Sequence, residues 1–187
     1  MAEKILGGET EVRESTNSFD WLGSGAYFWE NNPARALSWA KLLADRSKGP
    51  RRIRKPAVIG AILEPGNCLD LAEESSPALL RVAYDGLHEM YEEIGAPLPE
   101  NEEGFKVDGD LIKRHLDCAV VNFLHEFREA QEQKSPFDTV RAPFIEGRPL
   151  FPGSKLMDKC HVQWCVRNPQ KSIIAYFRPR DPEATEV

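Results

Sequence analysis

The most constraining feature of the sequence is the glycine–aromatic run GSGAYFWE at residues 23–30, followed at once by a strong helix start. The two glycines permit backbone conformations and close approaches that other residues do not. The aromatic residues after them favour a short strand. Asn32 is a preferred N-cap and Pro33 a preferred first helical residue. The run therefore predicts a strand over residues 25–29 and a helix from Pro33 to about Asp45, with one buried apolar stripe.

Apolar periodicity predicts the elements that follow. These are helices over residues 76–94 and 110–134, and strands over residues 57–63, 141–147, 161–166 and 172–177. The strand at 57–63 is apolar on both faces, which is typical of a central strand covered on both sides. A loop is expected over residues 95–104, and Asp108 or Asp110 is expected to cap the longer helix. Strands at both ends with helices between them predict an α+β fold, and 187 residues suit a single domain.

The composition narrows the classes of function. A formal net charge of −6 argues against general nucleic-acid binding. Residues 46–55 nevertheless form one basic cluster, which is either a solvated loop or a patch that meets phosphates. No run approaches the ~18–20 apolar residues of a membrane helix. The first residues also lack the basic start and apolar stretch of a signal peptide. We therefore expect a cytoplasmic protein with no membrane partner.

The cysteines and histidines indicate no metal site. The four cysteines match no common zinc spacing, and in a cytosolic chain they are expected to be buried small hydrophobes. Three of the histidines lie on the long predicted helices among charged residues, where a surface or boundary position is expected. The cysteines are Cys68, Cys118, Cys160 and Cys165, and the three histidines are His88, His115 and His125.

The glycine–aromatic run also offers a binding platform. Glycines such as Gly25 let the backbone pass close to a ligand, and an aromatic side chain just beyond can stack on a flat ring. Trp39 lies twelve residues after Tyr27, on the predicted helix. Tyr27 and Trp39 could therefore close on a planar ligand from two sides. A glycine turn with aromatic residues in the core is the alternative.

A second group of polar residues lies near the C-terminus. Glu146 stands between an apolar residue and the turn at Gly147, where it either pairs with an arginine or caps the turn, or projects into a cleft. His161 and Gln163 share one face of their strand. If that face lines a cleft, the two offer a titratable imidazole and an amide that both donates and accepts. Structural polar contacts are the alternative.

These motifs carry a resemblance. The segment DWLGSGAYFWE at residues 20–30, with the helix PARALSWA at 33–40, resembles the second motif of the ADP-ribosyltransferase superfamily. The rest of the chain resembles a bacterial branch of that superfamily, some members of which are linked to toxin–antitoxin systems and phage defence. The supporting blocks are residues 64–71, 116–120, 144–147 and 161–168.

The resemblance implies a fold and an activity. The fold would have mixed and antiparallel sheets around a cleft, with helical insertions. The activity would be cleavage of NAD at the nicotinamide–ribose bond and transfer of ADP-ribose to a protein or nucleic-acid acceptor. In such a bacterial effector an antitoxin would be a further partner. A non-catalytic module that binds a nucleotide or a partner protein on the same fold is the alternative.

The resemblance also assigns roles to residues. Tyr27 would stack on nicotinamide and Trp39 would cover its other face, in an NAD site that includes Gly25, Phe28 and His161. The catalytic residues would be Gln163 on the C-terminal strand, Glu146 in the surroundings of that strand, and Tyr27.

Two features differ from the superfamily pattern. Gln163 stands where the superfamily carries a catalytic glutamate, which steadies a ribose hydroxyl as the glycosidic bond loosens. Glu146 is then the candidate for the missing negative charge. The His-Gly or Arg motif of the first strand has no counterpart before Arg13. We therefore expect either that the chain begins inside the helix after that strand, at residues 1–6, or that this NAD contact is missing.

Overall fold

The computed structural model describes residues 1–107, 110–131 and 135–180, which form an α+β arrangement of small mixed sheets and helices. The strands are β1 (Ala26–Trp29), β2 (Gly60–Leu63), β3 (Cys68–Asp70), β4 (Asn101–Val107), β5 (Asp110–Arg114), β6 (Thr139–Phe144), β7 (His161–Val166) and β8 (Ile173–Phe177). The helices are α1 (Ala2–Leu6), α2 (Pro33–Arg46), α3 (Ser76–Glu93), α4 (His115–Glu129) and α5 (Pro169–Ser172), with a 3₁₀ turn at Gly49–Arg51.

A four-stranded sheet in the order β1-β7-β6-β3 organises the molecule. β7 pairs antiparallel with both β1 and β6, whereas β3 joins β6 in parallel. In this register Tyr27 lies opposite Cys165 and Trp29 lies opposite Gln163. β2 and β8 form a separate antiparallel pair, and β4 and β5 form a hairpin. The four-stranded sheet is therefore mixed, the other two are antiparallel, and the strands and helices together form the α+β fold that the sequence predicts.

The two faces of this sheet have different neighbours. Side chains alternate along a strand, so one face carries Tyr27, Cys165 and Val140, and the other carries Phe28, Trp164 and Arg141. We call the first the core face, because it packs against α3 and α4, and the second the outer face. The buried cluster on the core side contains Leu22, Leu69, Ala83, Leu87, Val120, Val121, Leu124, Phe137, Val140, Ala142, Phe144 and Cys165.

Helix α2 begins where the sequence predicts. The side-chain oxygen of Asn32 accepts a hydrogen bond from the amide of Arg35 at 3.0 Å, and Pro33 occupies the first helical position. The predicted buried stripe is wrong, since α2 has no fully buried residue. Its apolar side, which includes Trp39 and Leu43, lines a cleft instead of packing into the core.

The prediction of a central strand over residues 57–63 is wrong. The strand of this segment, β2, has β8 as its one partner among the described residues. The side chain of Ile62 accordingly lies about half in solvent. One face of β2 is turned to the cleft and the other is left exposed, because no sheet formed by the described residues covers the β2–β8 pair.

The longest predicted helix begins later than expected. Residues Asp110–Arg114 form β5, so Asp110 lies in a strand and does not cap the helix, and Asp108 lies outside the described residues. The first turn of α4 is capped across the hairpin by Asn101, whose side-chain oxygen accepts a hydrogen bond from the amide of Leu116 at 2.9 Å. A cap from the first residue of the hairpin, fifteen positions before Leu116, gives no local N-cap signal.

The other predicted elements are present. Helices α1 and α3 and strands β6, β7 and β8 occur within a few residues of the predicted ranges. The predicted loop at 95–104 contributes its last residues to β4, and α4 ends at Glu129, before the predicted end of that helix at 134. Residues 132–134 and the end of the charged tail, residues 181–187, lie outside the described residues. At the start of that tail Arg178 forms an ion pair with Glu3 at 2.8 Å.

Two predictions about burial are wrong. His125 is 1% exposed, because it lies four residues after Val121 and seven after Cys118, on the buried stripe of α4. Burial, with smaller contributions from nearby arginines, lowers the pKa of His125 to about 3. The cysteines are all free, but only two of them are buried. Cys118 and Cys165 are buried, Cys68 is half-buried and Cys160 is exposed.

Candidate functional site

A large aromatic cleft lies against the outer face of the four-stranded sheet. It has a volume of about 1050 Å³ and is bounded by that face, the β2–β8 pair, α1 and α2. Six aromatic residues line it: Tyr27, Phe28, Trp29 and Trp164 from the sheet, Trp39 from α2 and Phe177 from β8. A cavity of this volume is at the upper end of the range for small-molecule and cofactor sites.

A charged cluster is fixed in the wall of this cleft. Arg141 donates two hydrogen bonds to the carboxylate of Glu30, at 2.7 and 3.1 Å, and a third to Asp70 at 3.0 Å. The indole N–H of Trp164 donates to Glu30 at 2.7 Å. The hydrogen bond from Arg141 lowers the pKa of Glu30, which is therefore ionised at neutral pH. About a third of the Glu30 side chain is exposed, so the cleft holds an oriented, solvent-accessible carboxylate.

Strand pairing places the three charged residues side by side. The amide of Glu30 donates to the carbonyl of Val162 at 2.9 Å, which extends the β1–β7 ladder by one residue and keeps Glu30 on the face of Phe28. The parallel register sets Asp70 directly beside Arg141. A bidentate arginine between two carboxylates is a rigid arrangement, because both guanidinium edges are engaged.

The predicted residues Glu146, His161 and Gln163 are brought together on the other side, at the core face. The side chains of His161 and Gln163 meet at 2.9 Å, and the Nδ1 of His161 lies 3.6 Å from Glu146. Nδ1 lies 2.7 Å from the carbonyl of Lys159, so it carries the hydrogen, and Nε2 accepts from the Gln163 amide. Glu146 is paired with Arg35 of α2 at 2.8 Å.

Two members of this network, His161 and Glu146, are buried away from solvent. The side chain of His161 has no exposed surface and that of Glu146 is 4% exposed. Of the two readings of Glu146, pairing with an arginine therefore matches the structure, and projection into the cleft does not. The contacts of His161 and Gln163 are the structural polar contacts that the sequence left as an alternative. The network ties α2 to the C-terminal end of β6 and to β7.

Tyr27 and Gly25 make contacts within the fold. The hydroxyl of Tyr27 donates to the carbonyl of Gly23 at 2.7 Å and accepts from the amide of Leu22 at 2.9 Å, while its ring packs against the core cluster. Burial raises the pKa of Tyr27. A Cβ at Gly25 would lie 2.5 Å from the sulfur of Cys165, so the close approach at this glycine is to the neighbouring strand. These contacts are those of a glycine turn with aromatic residues in the core, and Tyr27 is at the same time one of the residues that line the cleft.

The ring that faces Trp39 belongs to Trp29. The two ring centroids are 6.4 Å apart, and Trp29 is also 6.4 Å from His161. Both tryptophans line the cleft. The indole N–H of Trp29 is buried, and within the described part of the chain it has no hydrogen-bond partner. Because β1 is the edge strand, this tryptophan pair stands between the cleft and the polar network of the core face.

Sequence reasoning missed the residues of the charged cluster. It selected Tyr27, Phe28 and Trp39, which line the cleft, but not Glu30, Arg141 or Trp164. Trp164 is the residue next to the selected Gln163 and lies on the opposite face of β7, whereas Arg141 lies on β6, from which no residue was selected. One signal was available: Arg141 interrupts the apolar strand β6 between two buried residues, so its face must differ from theirs.

No family model, curated protein or solved structure matches this chain. The fold and the site define an α+β protein with an aromatic cleft and an oriented carboxylate in its wall. Among the described residues, no cluster of three or more histidine, cysteine or acidic side chains is arranged to hold a metal ion. In the same part of the chain, no helix has the length and apolar character needed to cross a membrane.

Proposed function

We propose that the cleft binds NAD and that the protein is an ADP-ribosyltransferase-like enzyme with Glu30 as its acting carboxylate. The observation that carries the proposal is the position of this ionised carboxylate, in the wall of a cleft large enough for a dinucleotide. The glycine–aromatic motif at residues 20–30, which resembles the superfamily's second motif, supports the same reading. Glu30 is the last residue of that motif.

The lining of the cleft suits the parts of NAD. Aromatic rings such as Phe28 and Trp39 offer faces on which the adenine and nicotinamide rings can stack, with about 1–3 kcal/mol for each stacked base. Lys55 and Arg180 also line the cleft, and their charges complement a pyrophosphate. The site therefore combines stacking surfaces, cations and two carboxylates, Glu30 and Glu3, in a single concavity.

The chemistry requires a negative charge near the ribose. When the bond to nicotinamide breaks, its electron pair leaves with nicotinamide, and the acceptor adds its own lone pair to the same ribose carbon and then loses a proton. A fixed carboxylate stabilises the positive charge that develops on the ribose. Glu30 can supply this charge from the cleft wall. In our proposal Gln163, Glu146 and Tyr27 are positioning residues, which hold β1, β7 and α2 in place.

The test compares Glu30→Gln with Glu64→Gln, a matched change at an exposed glutamate outside the cleft lining. Gln keeps the shape and can still accept from Arg141 and Trp164. We expect Glu30→Gln to bind NAD in calorimetric titration within a few-fold of wild type, and to lose about 100-fold or more in release of labelled nicotinamide. Glu64→Gln should behave as wild type. Full activity in Glu30→Gln would refute the assigned role.

Phe28→Ala tests the binding site itself. Loss of one stacking face should weaken NAD binding about 10-fold or more. NAD affinity unchanged in Phe28→Ala would place the nucleotide elsewhere and refute the site.

One observation favours a second candidate, a nucleotide-binding protein without catalysis. Both carboxylate oxygens of Glu30 already accept hydrogen bonds, from Arg141 and Trp164. A carboxylate neutralised by an arginine stabilises a cation less well than a free one. Saturable NAD binding by the wild-type protein, with no release of nicotinamide in the presence of protein and RNA acceptors, would select this candidate.

A further inference from the structure

A second concavity, with a strongly basic lining, follows helix α2. It has a volume of about 560 Å³. Its charged lining residues are four cations and one carboxylate, and the rest are small or apolar. The charged residues are Lys41, Lys48, Arg52, Arg54 and Asp45. We call this site the basic pocket.

Hydrogen bonds fix the backbone around the basic pocket. The hydroxyl of Ser47 donates to the carbonyl of Ala44 at 2.9 Å and accepts from the amide of Ile53 at 2.8 Å. The chain between them forms the 3₁₀ turn at Gly49–Arg51. One serine thus joins the end of α2 to the far side of the loop. The cations therefore extend from a closed loop of defined shape.

The charge in the basic pocket favours anions. Helix α2 ends here, and its carbonyl end contributes about half a negative charge. That contribution and Asp45 together offset less than half of the positive charge from the four cations. The chain as a whole carries −6. A local positive site on an acidic protein attracts phosphate groups in a limited region instead of along the whole surface.

The basic pocket adjoins the aromatic cleft. Ile53 and Pro56 line both concavities. Lys55, between them in sequence, lines the cleft. A chain of phosphates held in the basic pocket would therefore bring a neighbouring nucleotide to the aromatic wall.

We propose that the basic pocket binds the phosphate backbone of single-stranded nucleic acid and presents an adjacent nucleotide at the cleft. An unpaired nucleotide has a free ring to stack on the aromatic wall, whereas a base within a duplex must first be extruded. The role of this strand as the acceptor of ADP-ribose rests on the proposed function. Binding of the strand to the basic pocket does not depend on that function.

The test measures fluorescence anisotropy of labelled 12-nucleotide RNA and DNA strands, and of a 12-base-pair duplex, over a series of salt concentrations. The variant is Lys48→Gln/Arg52→Gln/Arg54→Gln, none of which lines the cleft. The control is Arg13→Gln/Arg81→Gln/Lys155→Gln, which makes the same charge change at exposed positions elsewhere. Thermal unfolding confirms that both variants are folded.

We expect wild type and the control to bind the single strands, and the pocket variant to bind them about 10- to 100-fold more weakly at 0.1 M salt. The slope of log affinity against log salt should fall by about 2, since each lost phosphate contact removes about 0.7. Equal loss in the control, or wild-type binding by the pocket variant, would overturn the proposal. A preference for the duplex would also overturn it.

The two proposals, NAD binding at the cleft and strand binding at the basic pocket, predict different experimental outcomes. The pocket variant should bind NAD as wild type does, and Glu64→Gln, which changes a residue of neither concavity, should bind the strands as wild type does. Strand binding that depends on the basic pocket, in a protein that does not bind NAD, would sustain this inference and refute the proposed function. NAD cleavage without strand binding would sustain the proposed function and refute this inference.

Discussion

Replacement of His125 by Leu should stabilise the protein and remove much of its sensitivity to mild acid. His125 lies in the core beside Phe137, and neither of its ring nitrogens has a hydrogen-bond partner among the residues that the structure describes. Leu has a comparable volume and no polar atom to desolvate. Removal of the unsatisfied ring nitrogens should therefore stabilise the folded protein by about 1–3 kcal/mol at pH 7.

The pH dependence follows from the lowered pKa of His125. In the unfolded chain the imidazole titrates near pH 6.5, whereas in the folded protein its pKa is about 3. Burial is the main cause, followed by the charges of Arg167 and Arg128. Between these two values the unfolded chain binds a proton that the folded protein does not. Stability is therefore complete above about pH 6.5 and decreases as the pH falls, by about 1.4 kcal/mol for each pH unit.

The measurement is urea unfolding at pH 7.0, 5.5 and 4.5, followed by tryptophan fluorescence. Between pH 7.0 and 4.5 wild type should lose about 2.5 kcal/mol through His125 alone, and His125→Leu should not show this loss. His88→Gln is the control, because the side chain of His88 is 44% exposed. Free energies of unfolding that fall in parallel for wild type and His125→Leu would refute the reasoning.

Three further changes test the fold around the site. Gly25→Ala should destabilise by about 1–3 kcal/mol in urea unfolding, since the new Cβ would lie 2.5 Å from the sulfur of Cys165; unchanged stability would mean that the strands can separate there. Glu146→Gln should cost about 3 kcal/mol, because it leaves the largely buried guanidinium of Arg35 without its counter-charge, and a thermal scan that shows no shift would contradict the pairing. Asn32→Ala should cost about 1 kcal/mol through loss of the helix cap, measured by the same unfolding assay, with Asn32→Asp as the variant that retains the cap.

Local signals in the sequence were sufficient for most of the elements. The Asn32–Pro33 start of α2 and the strands over β1 and β7 follow from residue types within a few positions, because capping and alternation are local interactions. Signals failed where a distant residue decided the outcome. The cap of α4 comes from Asn101, and the exposure of Ile62 follows from the lack of a further layer over β2.

The sequence also grouped the site residues correctly by face without choosing between the faces. Alternation along a strand by itself determined that Gln163 lies on the same face of β7 as His161. It also determined that Phe28 and Glu30 lie together on one face of β1. The tertiary structure decided which of these faces lines the cleft. It did so because α3 and α4, far from β1 in sequence, bury one side of the sheet, and the side they leave open carries Glu30. Hydrophobicity did not mark this side in advance, since the cleft wall is itself aromatic.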